Sequence, residues 1–309
     1  MNVIHVITAF ENELEIKRLL EALSKQAKED CTIVCVDNSI TNSQNILKIC
    51  NGFSTNYKLK IHYMTNSFNQ GSSMGFALGM QKAYDLGAEW IWLHDQDGYP
   101  KEECLSKLLE SKIDEGILVP CVVGENNKRL KIFTARIDKR DNLRPIKLFQ
   151  TGTEIDIAAT AGLFINRKVI DEIGVYNSEH FFVGLEDFDY CLRARNNGFK
   201  IKVIEDAIYF HPDKWDRKDW DLKNAFKYFG ENNNARVQNG AIYFNCFHTK
   251  HHFFLSFIYS ILIATKRFIG GAKINYIKTI EAYLIGLLSR FKKQKKRVIE
   301  LSDHTWIEL

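Results

Sequence analysis

The stretch Glu89-Trp90-Ile91-Trp92-Leu93-His94-Asp95-Gln96-Asp97-Gly98-Tyr99-Pro100 decides the fold. It opens as an apolar run of strand type and ends in the tetrad His94-Asp95-Gln96-Asp97, closed by Gly98 and Pro100. Two carboxylates two residues apart stand where an apolar strand gives way to a loop. In open α/β sheets that position, the carboxyl end of a strand, is where ligands bind. Carboxylates there suit a hard divalent cation, Mg²⁺ or Mn²⁺, which in turn holds phosphate oxygens. An Asp-x-Asp in a turn also serves as a solvated loop or a helix cap, so the rest of the chain has to decide.

Residues 3–8, 32–37, 59–64 and 89–94 read as short buried strands, and helical patterns run between them over 12–27, 41–50 and 71–86. Leu14, Ile16, Leu19, Leu20 and Leu23 recur at helical spacing. Strand–helix alternation at this pitch predicts an α/β domain with a sheet flanked by helices on both faces. A helix is expected over 101–112 and a strand over 116–123. Residues 124–158 break the rhythm with charged turn signals and one strand-like piece at 130–137. A strand at 161–165, a helix at 187–197 ended by Asn197-Gly198, and a strand at 199–204 follow. This divides the chain into an α/β domain over 1–216, with halves at about 1–100 and about 101–216. A helical region over 217–309 follows.

The chain has 309 residues, 45% hydrophobic and 26% charged, ordinary proportions for a globular protein. Seven scattered cysteines without a C-x-x-C pair argue against a disulfide framework or a zinc site and for a reducing, cytosolic compartment. The start lacks the basic and apolar segments of a signal peptide. The net charge of +4 is uneven: Lys250 to Arg297 holds eleven Lys/Arg and one acid, Glu281, so this segment carries about +10 and the remainder about −6. A net acidic body, with the net positive charge in a tail of many apolar neighbours, argues against nucleic acid as the partner. The tail interleaves basic and aromatic residues (Phe226, Tyr228, Phe229, Tyr243, Phe244, Phe247), and its apolar run 253–264 is too short for the roughly 20 residues that span a bilayer. It fits either an interfacial region at an anionic membrane surface, peripheral on the cytoplasmic face, or a subdomain that packs on protein, including a second copy.

Four further groups carry chemistry. Asp37-Asn38-Ser39 closes the second strand, where an Asp accepts from a nucleotide base or ribose, or where Asn38 or Ser39 caps the next helix. The tract Asn66 to Gly75, with Asn69, Gly71 and Ser72, precedes a helix, and small residues at a helix start admit a diphosphate or a sugar close to the backbone. Glu186-Asp187-Phe188-Asp189 places three carboxylates within four residues at a helix start, a costly arrangement unless some are paired, for example with Arg193. One of them suits a general base for a hydroxyl nucleophile. His211, at a strand end, is either a structural histidine or a metal ligand.

Taken in order, Asp37-Asn38-Ser39, Asn69-x-Gly71, Trp90-Ile91-Trp92-Leu93-His94-Asp95-Gln96-Asp97, Glu186-Asp187-x-Asp189 with Arg193 and Gly198, and His211 resemble the inverting glycosyltransferases of family 2. More narrowly, they are similar to the rhamnosyl- and galactofuranosyltransferase-like branch. The likeness covers about residues 1–215 and implies that 1–216 is a catalytic domain, with a nucleotide-sugar-binding half at about 1–100 and an acceptor-binding half at about 101–216. It implies a GT-A fold, a Rossmann-like mixed sheet flanked by helices, and transfer of a sugar from a nucleotide-diphosphate donor, UDP- or dTDP-linked. The acceptor it implies is a saccharide, borne on a lipid carrier if the basic tail meets a membrane. It further implies that Asp37 contacts the base, with Thr8, Phe10, Asn38, Asn69, Gly71, Ser72, Asp95 and Gln96 around the donor. Asp95, Asp97 and His211 would hold the metal, Asp187 would be the base, and Glu186 would position the acceptor. Thr8-Ala9-Phe10 departs from the branch's T-Y-N, and Ser72, Ser73 and Met74 stand where it has glycines. A nucleotidyltransferase would need a Gly-rich basic loop after the first strand, and Thr8-Ala9-Phe10-Glu11-Asn12 is unlike one. A catalytically silent sugar- or nucleotide-binding scaffold has no need of so many carboxylates.

Overall fold

The computed structural model describes the chain apart from residues 27–30, 58, 67, 112–115, 125, 131–132, 140–142, 147–148, 213–234, 250–257, 259–260, 263–264, 267, 271–272 and 292–294. Phe226, Tyr228, Phe229 and most of the apolar run 253–264 therefore lie outside the described residues.

The first half is the expected alternation: β1 (Val3–Ala9), α1 (Glu13–Ser24), β2 (Thr32–Asp37), α2 (Ser43–Tyr57), β3 (Lys60–Thr65), α3 (Gly71–Asp85) and β4 (Trp90–Asp95). The four strands are parallel in the order β3-β2-β1-β4. Their registers put Ala9 beside Asp37 and Thr8 beside Asp95, so the candidate residues of three strands end at one sheet edge. The strands are buried on both faces, as near-continuous apolar sequence requires of a parallel sheet. Helix α1 buries Ile16, Leu19, Leu20 and Leu23 of the expected stripe but leaves Leu14 80% exposed, and Asn12 caps it by accepting from the Glu15 amide.

Beyond β4 come β5 (Tyr99–Pro100), α4 (Cys104–Glu110), β6 (Ile117–Val123), β7 (Thr134–Ile137), β8 (Leu143–Pro145), β9 (Glu154–Ile155), β10 (Ile157–Ala158) and β11 (Phe164–Asn166). Then follow α5 (Arg167–Ile173), α6 (Glu186–Asn196) and β12 (Ile201–Phe210). The sheet continues β4-β11-β6-β12-β5, with β11 antiparallel to both its neighbours and β6 parallel to β12. The sheet is thus mixed, and β10, β7 and β8 form a small separate sheet from the segment that broke the sequence rhythm.

Three elements depart from the sequence expectation. Helix α2 continues to Tyr57 although its second half is polar, because Phe53 packs into the core beside β3. Helix α5, not expected at all, is a short turn-and-a-half capped by Asn166, which accepts from the Lys168 amide. Strand β12 runs to Phe210 because Glu205-Asp206-Ala207 forms a bulge, with the register shifting between Ile204 and Ile208.

Two further helices, α7 (Ala235–His248) and α8 (Lys273–Ser289), pack on each other through Ile242, Cys246 and Tyr283. The final residues are extended rather than helical. Arg297 exchanges backbone hydrogen bonds with Ile173 and Val175, Lys82 lies over the Trp306 ring, and β13 (Ile307–Glu308) pairs antiparallel with β3. All seven cysteines are buried and unpaired. Among the described residues no helix is long and apolar enough to cross a membrane.

Candidate active site

The loop after β4 brings Asp97 against the end of β12. His211 Nε2 lies 3.1 Å from Asp97 Oδ1, its Nδ1 lies 3.2 Å from the Pro212 carbonyl, and the ring packs at a tilt against Phe133. The approach depends on Gly98: a Cβ there would meet Tyr209 at 2.6 Å and the Phe210 carbonyl at 3.0 Å. Burial works against a charge on His211, but the hydrogen bond to Asp97 and the charges of Asp97 and Asp95 prevail and raise its pKa. Asp95 is pushed up to about 7 by burial, with Asp97 and Glu186 adding to the rise and His211 opposing it. Two carboxylates and an imidazole thus share one electrostatic environment.

Whether they suit a cation is a separate matter. Among the described residues no three His, Cys, Asp or Glu side chains are grouped closely enough to hold a metal ion by themselves. The pair Asp97–His211 is such a group of two. Mg²⁺ and Mn²⁺ sites of nucleotide enzymes commonly take only one or two protein ligands and fill the rest with phosphate oxygens and water. The pair fits that kind of site, with Asp95 supplying charge from nearby, and does not fit an all-protein cage.

The loops that follow β1, β2, β3 and β4 are tied to one another. Asp37 is fully buried: its Oδ1 accepts the Ser39 amide at 2.8 Å and its Oδ2 the Tyr63 hydroxyl at 2.6 Å. It therefore shapes the end of β2 from behind rather than presenting a free edge. Asn38 donates to the Gly71 carbonyl and accepts from Asn66, and Asn69 accepts the Gly71 amide. Gln96 is spent on Phe10, accepting its amide at 2.7 Å and donating to its carbonyl at 3.0 Å, which leaves the Phe10 ring 43% exposed at the mouth. Thr8 lies buried beneath, next to Asp95 in register.

The start of α6 is preceded by Leu185 in the left-handed region. Ser72 donates to Glu186 Oε1 at 2.5 Å, while the buried Oε2 has no hydrogen-bond partner among the described residues. Gly71 (φ +84°) touches the Phe182 carbonyl so closely that a Cβ would stand 2.1 Å from it, and the Ser73 amide donates to the same oxygen. The loop before α3 and the loop before α6 are thereby in contact. Asp187 accepts the backbone amides of Thr160 and Phe188. Burial, then Glu186 and Asp95, hold its pKa well above the carboxylate range. Burial likewise raises Glu186, against the pull of the Ser72 hydroxyl.

Asp189 is a different case. Arg193 Nε donates to it at 2.8 Å, and His248 of α7 donates to its other oxygen at 2.8 Å. Burial opposes its charge, but Arg193 and His248 prevail and lower it to about 2. Arg193 also donates to the carbonyls of Ile173 and Val175. Asp189 is thus the structural member of the acidic trio.

Several contributors left no sequence signal. His248 is a lone histidine in an aromatic helix. His5, His94 and Tyr209 form a buried polar chain under the Asp95 loop, with neighbouring atoms 3.2 and 3.3 Å apart. Glu11, in the left-handed region, accepts the amides of Ile40, Thr41 and Asn42 and so fastens the loop after β2.

Comparison with known proteins follows this geometry. The family model described as glycosyl transferase family 2 matches residues 5–174. The chain belongs to glycosyl transferase family 2. Galactofuranosyltransferase GlfT1 of Mycolicibacterium smegmatis is 38% identical over 217 residues, 67% of this chain and 69% of that protein. The dTDP-rhamnosyl transferase RfbF of Shigella flexneri is 24% identical over 217 residues, 68% and 69% of the respective chains. Among solved structures, S. aureus TarS 1-349 covers 100% of this chain and 96% of its own at a TM-score of 0.51 and 16% identity. Against a longer TarS chain the match spans 94% of this chain and 55% of that one. GalNAc-T7 with UDP, GalNAc and Mn²⁺ gives a TM-score of 0.53 at 15% identity, over 80% of this chain and 50% of its own. The fold is the GT-A fold of this glycosyltransferase family, as the motif order implied.

Proposed function

We propose that this family 2 member transfers a hexose, galactofuranose or rhamnose, from a UDP- or dTDP-linked donor to a saccharide acceptor, with inversion, in the synthesis of a cell-surface polysaccharide. The observation that carries the reading is that the half-buried Asp187 feels the charge of Asp95, which in turn shares its electrostatic surroundings with the Asp97–His211 pair. A nucleotide diphosphate belongs beside that pair. Asp97 and His211, with Asp95 nearby, would hold Mn²⁺ or Mg²⁺, whose chemistry is to neutralise the departing diphosphate. Phe10 offers its exposed ring to the base, and the loop Asn69 to Ser72 lines the sugar.

The acceptor hydroxyl belongs at Asp187. Asp187 takes its proton as the bond to the anomeric carbon forms. A carboxylate with a raised pKa is a stronger base than an exposed one, which suits it to this role near neutral pH. The free Oε2 of Glu186 accepts from a neighbouring acceptor hydroxyl, while Ser72 fixes the other oxygen. A single displacement with the base opposite the leaving group inverts configuration. The rhamnosyl- and galactofuranosyltransferase relatives support these two sugars as donors, and the basic C-terminal region favours an acceptor carried on a lipid at an anionic membrane surface.

Thermal unfolding with UDP, dTDP, GDP and CMP, with and without Mn²⁺, tests the reading. A ligand at a hundredfold excess over its Kd stabilises by about 2.7 kcal/mol. A metal-dependent shift with UDP or dTDP is expected, and which of the two gives it selects the donor. No shift with any nucleotide overturns the proposal.

A further inference from the structure

Exposed apolar side chains are not spread evenly over this molecule. Among the described residues, eight of the 18 exposed large hydrophobics fall between residues 258 and 291. On α8 they form a stripe: Ile277 (66% exposed), Leu284 (48%) and Leu288 (55%), extended by Phe291 (83%) just past its end. Spacings of seven, four and three residues put these four on one helix face. The opposite face, with Thr279 and Tyr283, is buried against α7. Ile269 (80%) and Leu262 (62%) add to the apolar surface of the same region. Apolar surface concentrated in this way marks an interaction site.

We infer that this outer face docks on an anionic lipid bilayer, lying in the headgroup region with Ile277, Leu284, Leu288 and Phe291 directed into the acyl boundary. Charge selects the bilayer over a second copy of the chain. The segment from Lys250 to Arg297 carries about +10, and Lys266, Lys278, Lys295 and Lys296 are exposed. Two copies meeting through this face would bring two such segments together, whereas anionic headgroups neutralise each basic residue for about 1 kcal/mol. Glu281 sits within the stripe, and its single negative charge is outnumbered. The absence of a membrane-crossing helix among the described residues is consistent with a segment that lies on the surface.

Docking here would bear directly on the site. Helix α8 packs on α7, and α7 reaches the acceptor side at three places. His248 bonds Asp189, two residues after Asp187; Tyr243 stacks on His180 with ring centres 4.1 Å apart; and the Arg236 guanidinium lies 3.6 Å from the Phe182 ring centre. The surface that meets the lipid and the helix that carries the base are linked by packed side chains. This deepens the reading that the acceptor is lipid-borne and rests on it, but lipid binding itself requires no sugar transfer.

The test is co-flotation of the full chain with vesicles of phosphatidylcholine alone or mixed with phosphatidylglycerol. Binding is expected only to the anionic vesicles and should weaken as salt rises. The double variant Leu284→Glu/Leu288→Glu changes two exposed positions and should bind at least about tenfold more weakly, with its nucleotide-induced thermal shift unchanged. Equal flotation of wild type and variant overturns the assignment to this face. So does a wild-type dimer in sedimentation that the same variant dissociates while neither protein floats, which would make the face a self-interface. A failed nucleotide shift with normal flotation would instead sink the transferase reading and leave the membrane face standing.

Discussion

The two faces of α6 carry chemically identical groups with opposite fates. On one face Asp189 is fully buried between Arg193 and His248 and is held ionised, at about 2. On the other, Asp187 is half-buried with backbone amides for company, and burial together with the charges of Glu186 and Asp95 raises its pKa. Opposite charges beside one carboxylate and like charges beside the other separate them. A carboxylate whose charge is already compensated fixes structure. One whose charge is resisted is left with chemistry to do.

Breaking the unpaired side should have the largest effect. Asp187→Asn removes the base and should lower the transfer rate by about 10²–10⁴-fold, measured as kcat with donor and acceptor saturating, while the nucleotide-induced thermal shift persists. Turnover within a few-fold of wild type would remove Asp187 from the role. Breaking the paired side should act on stability instead. Asp189→Asn leaves Arg193 as a buried cation without its counter-charge and should cost about 3–5 kcal/mol in denaturant unfolding. His248→Ala keeps the Arg193 pair and removes one hydrogen bond to a charged group, for about 1–3 kcal/mol. His248→Gln, which can still donate, should recover part of that loss. An equal loss in both His248 variants would mean that ring packing, not the hydrogen bond, is what matters.

The smallest effect is the most diagnostic, because its sign differs between the two faces. Asp189 has a depressed folded pKa, so its contribution is present above the ordinary value of 3.8 and is lost as pH falls through about 2. Asp187 has a raised folded pKa, so the native state binds more protons than the unfolded chain and stability falls as pH climbs above the unfolded value. Asp187→Asn should therefore unfold at a higher temperature than wild type at neutral pH, and the gap should close toward pH 4. A variant less stable than wild type at pH 7 would reverse the comparison.

The sequence made the donor half of the fold legible because its strands are continuous apolar runs and its helices repeat every three to four residues. The site residues were legible as an ordered set at strand and helix ends. What escaped was decided by tertiary contact. The second half of α2 is held by one phenylalanine, β12 contains a charged bulge that interrupts its pattern, and Asp187 and Asp189 look alike until a histidine 59 residues further on takes one of them. Nor could the motifs show the protein partners of two proposed donor contacts, Phe10 for Gln96, and Ser39 and Tyr63 for Asp37.

The pairing of β13 with β3 has a consequence for how the molecule is made. Ile307 lies opposite Tyr63, so the β3 edge of the ten-stranded sheet is covered by a strand from far along the chain. Until that strand docks, β3 offers unpaired backbone groups of the kind that recruit strands from other chains. Molecules in which β13 is undocked or cut away should therefore be the aggregation-prone species, and a pulse of proteolysis that trims only this strand should turn a monodisperse preparation turbid.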